Sequence, residues 1–269
     1  MAKFLLPNYL FLLIFMGYSF PRGMRPSTLN ERLEFYSKEF NFEQAFNWIG
    51  NHRGKVRFAV IIGRNTSIYP PEYADDANAT IIIDNYKSLE EVKAYILEFL
   101  PEGVYYDRNV YSNGEVVGQE LAFDLDPENV ICPIHGSFED KARRGQDLSF
   151  CEIELQIIKE QTMKLYDYLA ERFNMLHIVY SGRGFHIHVM DKEAFKLKPL
   201  EREAIAEEIK KMGFAIDPWV TTGESRLIRL PYSLNGLVSR IVTPLDRSEI
   251  VNFNPIDDER CIPEFLKHK

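Results

Sequence analysis

Cysteine is scarce in this sequence and positive charge is not in excess, and each shortage excludes a class of protein. Three cysteines among 269 residues are too few, and odd in number, for a disulfide framework, so a reducing, cytoplasmic compartment is expected. The 32 Lys and Arg against 40 Asp and Glu give a formal charge of −8, which argues against a general coat for nucleic acid. The acidic excess falls in residues 1–140, which carry 12 basic and 20 acidic residues. A nucleic acid should therefore meet the later part of the chain or a local groove.

The chain also lacks internal repeats, low-complexity tracts and a flexible linker, so we expect residues 24–269 to form one domain. Residues 4–21 carry no charge, but Pro7 and Asn8 interrupt them and a single Lys3 precedes them. We therefore interpret residues 1–23 as a hydrophobic leader outside the fold. A membrane or export segment and an ordinary core helix are the alternatives, and no stable membrane association is expected.

Apolar spacing downstream of Met24 predicts a mixed α/β fold. Thr28 to Glu31 has the spacing of a capping box, which predicts a helix start. Further helices are predicted from Ser88 to about Leu100, over 150–173 and over 200–212. Strands are predicted over 56–62, 79–83, 104–111, 176–180 and 184–189, in a run ending at residue 126, and at 216–217, with a hairpin turn at 113–114.

Two aspartates separated by one residue end one of these predicted strands. Because side chains alternate between the faces of a strand, the carboxylates of Asp124 and Asp126 should project the same way. Neighbouring carboxylates repel unless a cation lies between them, and oxygen ligands suit Mg²⁺ or Mn²⁺. The pair therefore predicts a metal site, with an ordinary acidic turn as the alternative.

A glycine-containing turn with a hydroxyl, a guanidinium and an imidazole follows the predicted strand 176–180. Ser181, Arg183 and His186 are residue types that bind phosphate, and the glycines between them permit a tight turn. His186 and His188 share a strand face, so metal ligation or a satisfied polar pair is the alternative. The lysine and spacing of a Walker loop are missing, so no P-loop enzyme is indicated.

A third carboxylate and two arginines follow further along the chain. Asp217 ends a short apolar run, and Arg226 and Arg229 come after it. Arginine forks onto phosphate oxygens, although a surface salt-bridge cluster with Glu224 is the alternative. Three carboxylates, a histidine and several arginines in this order suggest a nucleotidyl-transfer site with two metal ions.

Cys132 and His135 have the spacing of a zinc-binding knuckle, and Cys151 follows in the same region. Thiolate and imidazole suit Zn²⁺, and a closed structural site needs four ligands. The spacing leaves the fourth ligand open between Asp147, Asp140 and Cys261.

Taken together, these motifs resemble the small, catalytic subunit of archaeal and eukaryotic DNA primase, in the archaeo-eukaryotic primase superfamily. The resemblance extends over nearly everything after Met24. It rests on four segments: 25–36 (RPSTLNERLEFY), 120–126 (ELAFDLD), 180–186 (YSGRGFH) and 216–236, which contains RLIRLPYSLNG.

The resemblance implies a two-part α/β body with an RRM-like catalytic half, a small zinc-binding element, and a large iron–sulfur subunit as partner. It assigns metal binding to Asp124, Asp126 and Asp217. It assigns nucleotide binding to a second set, which comprises Ser181, Arg183, His186, Arg226, Arg229 and Asn235.

The sequence also departs from the family pattern. The family usually has His in place of Asn235, Gly in place of Tyr232, and Lys-Thr-Gly in place of residues 237–239, so weaker triphosphate binding with an intact metal site is expected. Of the two cysteines that usually end the zinc element, Cys151 matches the second. Asp147 stands beside the position of the first and is the tentative substitute.

The primary hypothesis is a DNA primase catalytic subunit at the replication fork. It would make short RNA or DNA primers on single-stranded DNA from nucleoside triphosphates, using two Mg²⁺ or Mn²⁺ ions, with Zn²⁺ in a structural role and a large subunit as partner. A lapsed or accessory subunit that scaffolds a replication complex is the second hypothesis. A metal-dependent hydrolase that uses Asp124, Asp126, His186 and His188 is the third.

Overall fold

The computed structural model describes residues 18–50 and 56–267. The α-helices are α1 (Leu29–Glu34), α2 (Phe42–Ile49), α3 (Leu89–Phe99), α4 (Phe138–Ala142), α5 (Glu152–Leu169), α6 (Pro199–Lys211), α7 (Pro218–Thr222) and α8 (Glu264–Lys267). The strands are β1 (Phe58–Ile61), β2 (Thr80–Ile83), β3 (Gly103–Asp107), β4 (Asn109–Ser112), β5 (Glu115–Gln119), β6 (Leu121–Leu125), β7 (Leu176–Tyr180), β8 (Phe185–Val189), β9 (Leu227–Arg229), β10 (Leu234–Asn235), β11 (Arg240–Ile241) and β12 (Thr243–Leu245). The mixed α/β class predicted from the sequence is confirmed.

Two four-stranded antiparallel sheets form the body of the protein. The first sheet has the order β2-β1-β3-β9, and the second has the order β12-β7-β8-β6. Residues of α2, α3 and α8 pack against the first sheet, and residues of α5 and α6 pack against the second. Each sheet therefore has its own apolar core.

Most helix starts and buried strands lie where the sequence predicts them. Thr28 and Glu31 form the predicted capping box at α1, and the Ser88 side chain accepts a hydrogen bond at the start of α3. β7 spans the predicted residues 176–180. These elements are local in origin, because capping spacing and unbroken apolar runs are sufficient to define them.

The single strand predicted over 104–111 is wrong, since the chain divides there between two sheets. β3 ends at Asp107 in the first sheet, and β4 begins at Asn109 in the hairpin with β5. Arg108 lies between them with its side chain buried, and its guanidinium donates to the carbonyl oxygens of Glu120 and Val220. The division follows from these long-range hydrogen bonds, which the apolar pattern of the sequence does not predict.

The predicted strand ending at Asp217 is also wrong. Asp217 is the N-cap of the short helix α7, and its side chain accepts from the Trp219 N–H. Pro218 occupies the first helical position, where its fixed φ favours a helix start. One hydrogen bond from the Asp217 N–H to the Asp124 carbonyl oxygen, at 2.8 Å, ties this segment to the free edge of β6.

The boundary predicted at Met24 is corrected by the last residues of the proposed leader. The Ser19 N–H donates to Ser149 Oγ, the Ser19 carbonyl oxygen accepts from the Phe150 N–H, and the ring of Phe20 packs on Phe150. Residues 18–23 thus belong to the described fold. The rest of the predicted leader, residues 1–17, lies outside the described residues. Within the part that the structure describes, no helix combines the length and apolar character needed to cross a bilayer.

Candidate active site

A cleft of about 370 Å³ is lined by residues from both four-stranded sheets. Tyr105 and Arg229 reach it from the neighbouring strands β3 and β9 of the first sheet. Asp124 and His186 reach it from β6 and β8 of the second sheet, where the two residues are directly opposite each other. The cleft is therefore built from segments that are remote in sequence.

The three carboxylates that the sequence analysis assigns to one site line this cleft. Asp124 lies near the end of β6, Asp126 follows that strand, and Asp217 begins α7 beside it. The backbone hydrogen bond between Asp217 and Asp124 holds α7 against β6. Side chains that lie 91 residues apart in sequence (Asp126 and Asp217) are thereby brought into one site.

The carboxylates destabilise one another's charged forms. Burial raises the pKa of Asp124 well above its ordinary value, and the charges of Asp126 and Asp217 raise it further. Burial also raises the pKa of Asp126 to about 6, although the charge of Arg183 opposes this shift. Burial is the main cause of both shifts, and the neighbouring carboxylate charges add to it.

Two carboxylate oxygens in the cleft have no hydrogen-bond partner among the described residues. They are Oδ1 of Asp124 and Oδ1 of Asp126. The Nε2 of His186 is 3.4 Å from Asp124 Oδ1, which is an ion-pair distance rather than a good hydrogen bond. Unpartnered, partly buried carboxylate oxygens with raised pKa values form a donor set that fits a hard divalent cation such as Mg²⁺ or Mn²⁺.

The turn 181–184 between β7 and β8 presents the predicted phosphate-binding residues at the cleft. Ser181 Oγ accepts from the Gly184 N–H, and the Ser181 N–H donates to the Gly184 carbonyl oxygen. Gly182 has φ of 101°, a conformation that favours glycine. A Cβ on Gly184 would lie 2.1 Å from the Leu125 carbonyl oxygen, so glycine is also required for the turn to lie against the end of β6.

Arg183 supplies positive charge at this turn. Its Nη1 is 2.8 Å from Glu128 Oε1, while its Nε and Nη2 are buried without a partner among the described residues. The guanidinium lies over the ring of Phe150, 5.7 Å from the centroid. Two unused donors beside three carboxylates could bind the oxygens of an anionic ligand that shares the site with cations.

The two predicted arginines are separated by the structure. Arg229 lines the cleft and donates from Nη2 to the Tyr105 hydroxyl at 2.8 Å, with its guanidinium over the same ring. Arg226 does not line the cleft, and its Nε is 3.7 Å from Asp107 Oδ2 instead. Arg226 lies just before β9 and Arg229 is the last residue of that strand, so the two side chains reach different neighbours.

Asn235 lines the cleft but its amide is engaged by the backbone. Its Nδ2 donates to the Ser181 carbonyl oxygen at 3.0 Å, and its Oδ1 accepts from the Leu237 N–H. A Cβ on Gly182 would lie 2.5 Å from Asn235 Cβ, so the two residues are in close contact. Asn235 therefore supports the 181–184 turn directly.

His188, on β8 with His186, does not line the cleft. It is fully buried, and its Nδ1 is 2.5 Å from Glu120 Oε1, a carboxylate that also accepts from the Tyr106 hydroxyl. Burial lowers the pKa of His186 well below its ordinary value, with His188 as the next cause. The four-ligand set of the hydrolase hypothesis is thus divided between the cleft and the core.

A second group of potential ligands is formed by Cys132, His135, Cys151 and Glu154, whose ligand atoms lie within 4.8 Å of one another. The two sulphurs are 3.8 Å apart, about the separation of two thiolates on one tetrahedral Zn²⁺. Cys132 Sγ is 3.3 Å from His135 Nδ1. The chemistry and the spacing of these residues fit a structural metal ion.

The structure does not bring Asp147 into this group, because Asp147 hydrogen-bonds to Tyr18 instead. Glu154 takes the fourth position, one helical turn after Cys151 at the start of α5. The two oxygens of Glu154 also accept from Lys141 Nζ and from the Cys151 N–H. Neither Asp140 nor Cys261 belongs to the group.

Among the residues that line the cleft without being identified by the sequence motifs are Arg64, Asn65, Tyr105 and Glu128. Glu128 lies two residues after Asp126, so extending the acidic motif would have included it. Asn65 hydrogen-bonds to Glu102 through its backbone and its side chain. Arg64 and Asn65 follow β1, and nothing in their local pattern distinguishes them from an ordinary loop.

Comparisons with known proteins show the family to which the chain belongs. A protein from Archaeoglobus fulgidus, named "Uncharacterized DNA primase small subunit-like protein", is 51% identical over 269 residues, covering 93% of this chain and 95% of that protein. The chain belongs to the DNA primase small subunit family. A family model described as DNA primase small subunit matches residues 123–218, a range that includes the three aspartates and the 181–184 turn.

More distant members of the family are longer than this chain. The DNA primase small subunit PriS of Pyrococcus furiosus is 29% identical over 191 residues, which cover 68% of this chain and 48% of that protein. The chain thus matches about half the length of that relative. A solved polymerase domain from Mycobacterium tuberculosis ligase D, in complex with DNA, has a similar fold, with a TM-score of 0.51 at 15% identity over 89% of this chain and 88% of that one.

Proposed function

We propose that this protein is the catalytic subunit of a DNA primase, a DNA-directed nucleotidyltransferase that makes short primers on single-stranded DNA. The observation that carries the proposal is the cleft itself. Three carboxylates, two with unpartnered oxygens, lie there beside the guanidinium groups of Arg183 and Arg229. Cation binding next to anion binding is what transfer of a nucleotide from a triphosphate requires.

In this proposal Asp124, Asp126 and Asp217 hold two Mg²⁺ or Mn²⁺ ions. Bound there, the cations would neutralise charge on the triphosphate and lower the barrier to attack by a 3′-hydroxyl on the α-phosphate. The chain's own contribution is to keep three carboxylates together in one cleft before substrate arrives. The raised pKa values of Asp124 and Asp126 are consistent with a site that is most stable when cations balance its charge.

The triphosphate would be bound by arginines of the same cleft. Arg183 offers Nε and Nη2, and Arg229 offers an Nη1 that is buried without a partner among the described residues. Ser181 and Asn235 hold the turn that presents Arg183. His186 would act as a neutral hydrogen-bonding group, because its pKa is lowered by burial.

We further propose that Cys132, His135, Cys151 and Glu154 hold one Zn²⁺ ion in a structural role. Nucleoside triphosphates and single-stranded DNA would be the substrates, and a primase large subunit would be the partner. The family membership and the polymerase-like fold support these assignments.

The test is synthesis on an unprimed single-stranded DNA template with labelled nucleotides and Mg²⁺ or Mn²⁺, with and without a large subunit. We expect short labelled products from the wild-type chain and none from Asp124→Ala. Thermal unfolding of the variant shows whether its fold is retained. Equal synthesis by a folded Asp124→Ala protein would refute the assignment.

One observation favours a second candidate, an accessory subunit without catalytic activity. Asn235 stands where the family usually has a histidine, and its amide is engaged by the Ser181 carbonyl oxygen and the Leu237 N–H. This arrangement leaves that position without a positive charge for the triphosphate. Absence of nucleotide incorporation under every metal and partner condition, with retained binding of a large subunit, would favour this candidate.

A further inference from the structure

An exposed indole lies next to the aspartate cleft. Of the two tryptophans, Trp48 packs edge-on against His177 and His188, whereas Trp219 in α7 is 63% exposed. The backbone of Trp219 is held in place, because its backbone N–H donates to Asp217 Oδ1 at 2.9 Å and its carbonyl oxygen accepts from the Ser225 N–H at 2.9 Å. An exposed Trp beside a site is unusual for a residue with only a packing role.

Arg226 provides a cation on a segment whose backbone is bonded to that of Trp219. It follows Ser225, whose N–H is bonded to Trp219, and its side chain is 46% exposed. Arg226 Nε is 3.7 Å from Asp107 Oδ2, and the Tyr111 hydroxyl donates to the same oxygen at 2.7 Å. The guanidinium of Arg57 lies over the Tyr111 ring, 4.6 Å from its centroid. These contacts join Arg57, Tyr111 and Arg226 in one cluster around a buried carboxylate.

This cluster adjoins the cleft along the strands of the first sheet. Leu227, which follows Arg226, is opposite Asp107, and Arg229 of the cleft is opposite Tyr105. The separation is two residues along each strand, or about 7 Å. The cluster and Trp219 therefore border the cleft on the side formed by β9 and α7.

We propose that Arg57, Tyr111, Trp219 and Arg226 form a surface that binds single-stranded nucleic acid as it enters the cleft. The inference rests on the proposed function and specifies where the template lies. Aromatic rings that stack on bases, with arginines for the phosphates, are the groups that bind single strands without reading their sequence. A chain with net charge −8 has no general affinity for nucleic acid and needs such a local surface.

A single strand suits this surface better than a duplex or a protein partner. The exposed Glu224 lies two residues before Arg226, so the surface is not uniformly basic, and binding would depend on stacking as much as on charge. A base can stack on Trp219 only when it is unpaired and free of its own neighbours. The exposed Trp219 and Arg226 and the half-buried Arg57 and Tyr111 do not form a continuous apolar patch of the kind that a stable protein interface buries.

The test measures binding of a labelled single-stranded oligonucleotide by fluorescence anisotropy, in EDTA and without nucleotides. Trp219→Ala should weaken binding by roughly five- to a hundredfold, the range for losing one base–aromatic stack. Trp219→Phe should recover most of the affinity, since a phenyl ring also stacks. The intrinsic fluorescence of the wild-type protein should be quenched by the oligonucleotide, and Trp219→Phe should lose that quenching because Trp48 packs against His177 and His188 and is not part of this surface.

The arginine is tested through salt dependence. Arg226→Gln should lower the slope of log affinity against log salt by about 0.7, the contribution of one phosphate contact to a single strand. Matched controls are Arg143→Gln, another exposed arginine, and Leu200→Ala, which is 78% exposed. Both controls should bind the oligonucleotide as the wild type does.

The outcomes separate this inference from the proposed function. Wild-type affinity in Trp219→Ala, or no binding by the wild type, overturns the surface whether or not primers are made. Loss of affinity in Trp219→Ala supports the surface even if the protein makes no primers, a result that would overturn the proposed function alone. If Trp219→Ala and Arg226→Gln bind oligonucleotide normally but lose a purified large subunit, the surface is a protein interface and the inference is wrong.

Discussion

The aspartate cleft and the cysteine–histidine group are both metal-compatible sites, and they differ in how their charge is balanced. The cleft gathers carboxylates from remote segments and leaves two of their oxygens without partners among the described residues. The cysteine–histidine group is local, spanning residues 132–154, and its acidic member already pairs with Lys141 at 2.7 Å. The cleft thus leaves carboxylate charge without a full balance among the described residues, whereas the second group is partly balanced by Lys141.

The largest effect should follow from removing a cleft carboxylate. Asp124→Asn should lower nucleotide incorporation by at least roughly 100-fold, because the lost charge acts on the transition state. The same change should raise the thermal stability of the metal-free protein at neutral pH, since burial disfavours the charged form of this carboxyl. Incorporation assays and thermal unfolding in EDTA measure the two effects. A variant that loses both activity and stability would indicate a structural aspartate instead.

The next effect concerns the buried ion pair of the second group. Lys141 and Glu154 are 2% and 0% exposed, so Lys141→Met leaves a buried carboxylate without its cation. The expected cost in unfolding free energy is about 3–5 kcal/mol for the metal-free protein. Denaturant unfolding with and without Zn²⁺ measures it, and Lys211→Met, an exposed lysine, is the control.

Adding Zn²⁺ to the same measurement tests whether the carboxylate also binds a metal ion. If Glu154 is a metal ligand, added Zn²⁺ should restore most of the stability lost in Lys141→Met. Equal losses with and without Zn²⁺ would show that Glu154 serves Lys141 alone and that a three-residue set must bind any metal.

A smaller effect should appear in the pH dependence of the metal-free protein. The folded state raises the pKa of Asp126 to about 6, so it binds the proton more tightly than the unfolded chain does. Stability from this group is therefore present below the ordinary carboxyl pKa and is lost as pH rises toward and through about 6. The loss should be about 1–3 kcal/mol.

Thermal unfolding in EDTA between about pH 4 and about pH 8 measures this loss. Asp126→Asn should flatten the curve, and Mg²⁺ or Mn²⁺ should do the same for the wild type. A wild-type curve that is flat over this range in EDTA would contradict the account of a cleft with unbalanced charge.

The smallest expected effect is at Asn235. Asn235→Ala removes one hydrogen bond to the turn that presents Arg183, so the KM for nucleotide should rise about fivefold, the equivalent of about 1 kcal/mol. Steady-state kinetics measure it. A large fall in kcat at unchanged KM would mean that Asn235 acts on the reacting groups and not on the turn.

Local features of the fold were predictable from the sequence. The Thr28 capping box, the Ser88 cap and the strand 176–180 follow from spacing and apolar runs. The break at Arg108 was not predictable, because it depends on hydrogen bonds to distant segments. The helix after Asp217 was missed although an Asp N-cap followed by Pro at the first helical position is a local helix signal. The site follows the same rule. Most of the predicted residues line the cleft, but the position of Arg226 outside it, the presence of Glu154 and not Asp147 beside the cysteines, and the contact of Asn235 with the turn required coordinates.

Residues without a sequence motif were missed for a related reason. Tyr105 lines the cleft because β3 lies beside β9, and Arg64 lines it because the loop after β1 ends there. Neither position carries a local signal. The resemblance to a known family supplied the assignment of Asp217, since spacing alone does not connect it to Asp124.

The central claim is that Asp217 joins Asp124 and Asp126 in one cation-dependent site for nucleotidyl transfer. The most direct measurement is primer synthesis by the wild type and by Asp217→Asn at a series of Mn²⁺ concentrations, on one template and with equal amounts of folded protein. The account predicts that the variant is nearly inactive and that its residual synthesis needs more Mn²⁺. Equal synthesis with the same Mn²⁺ dependence in both proteins would contradict it.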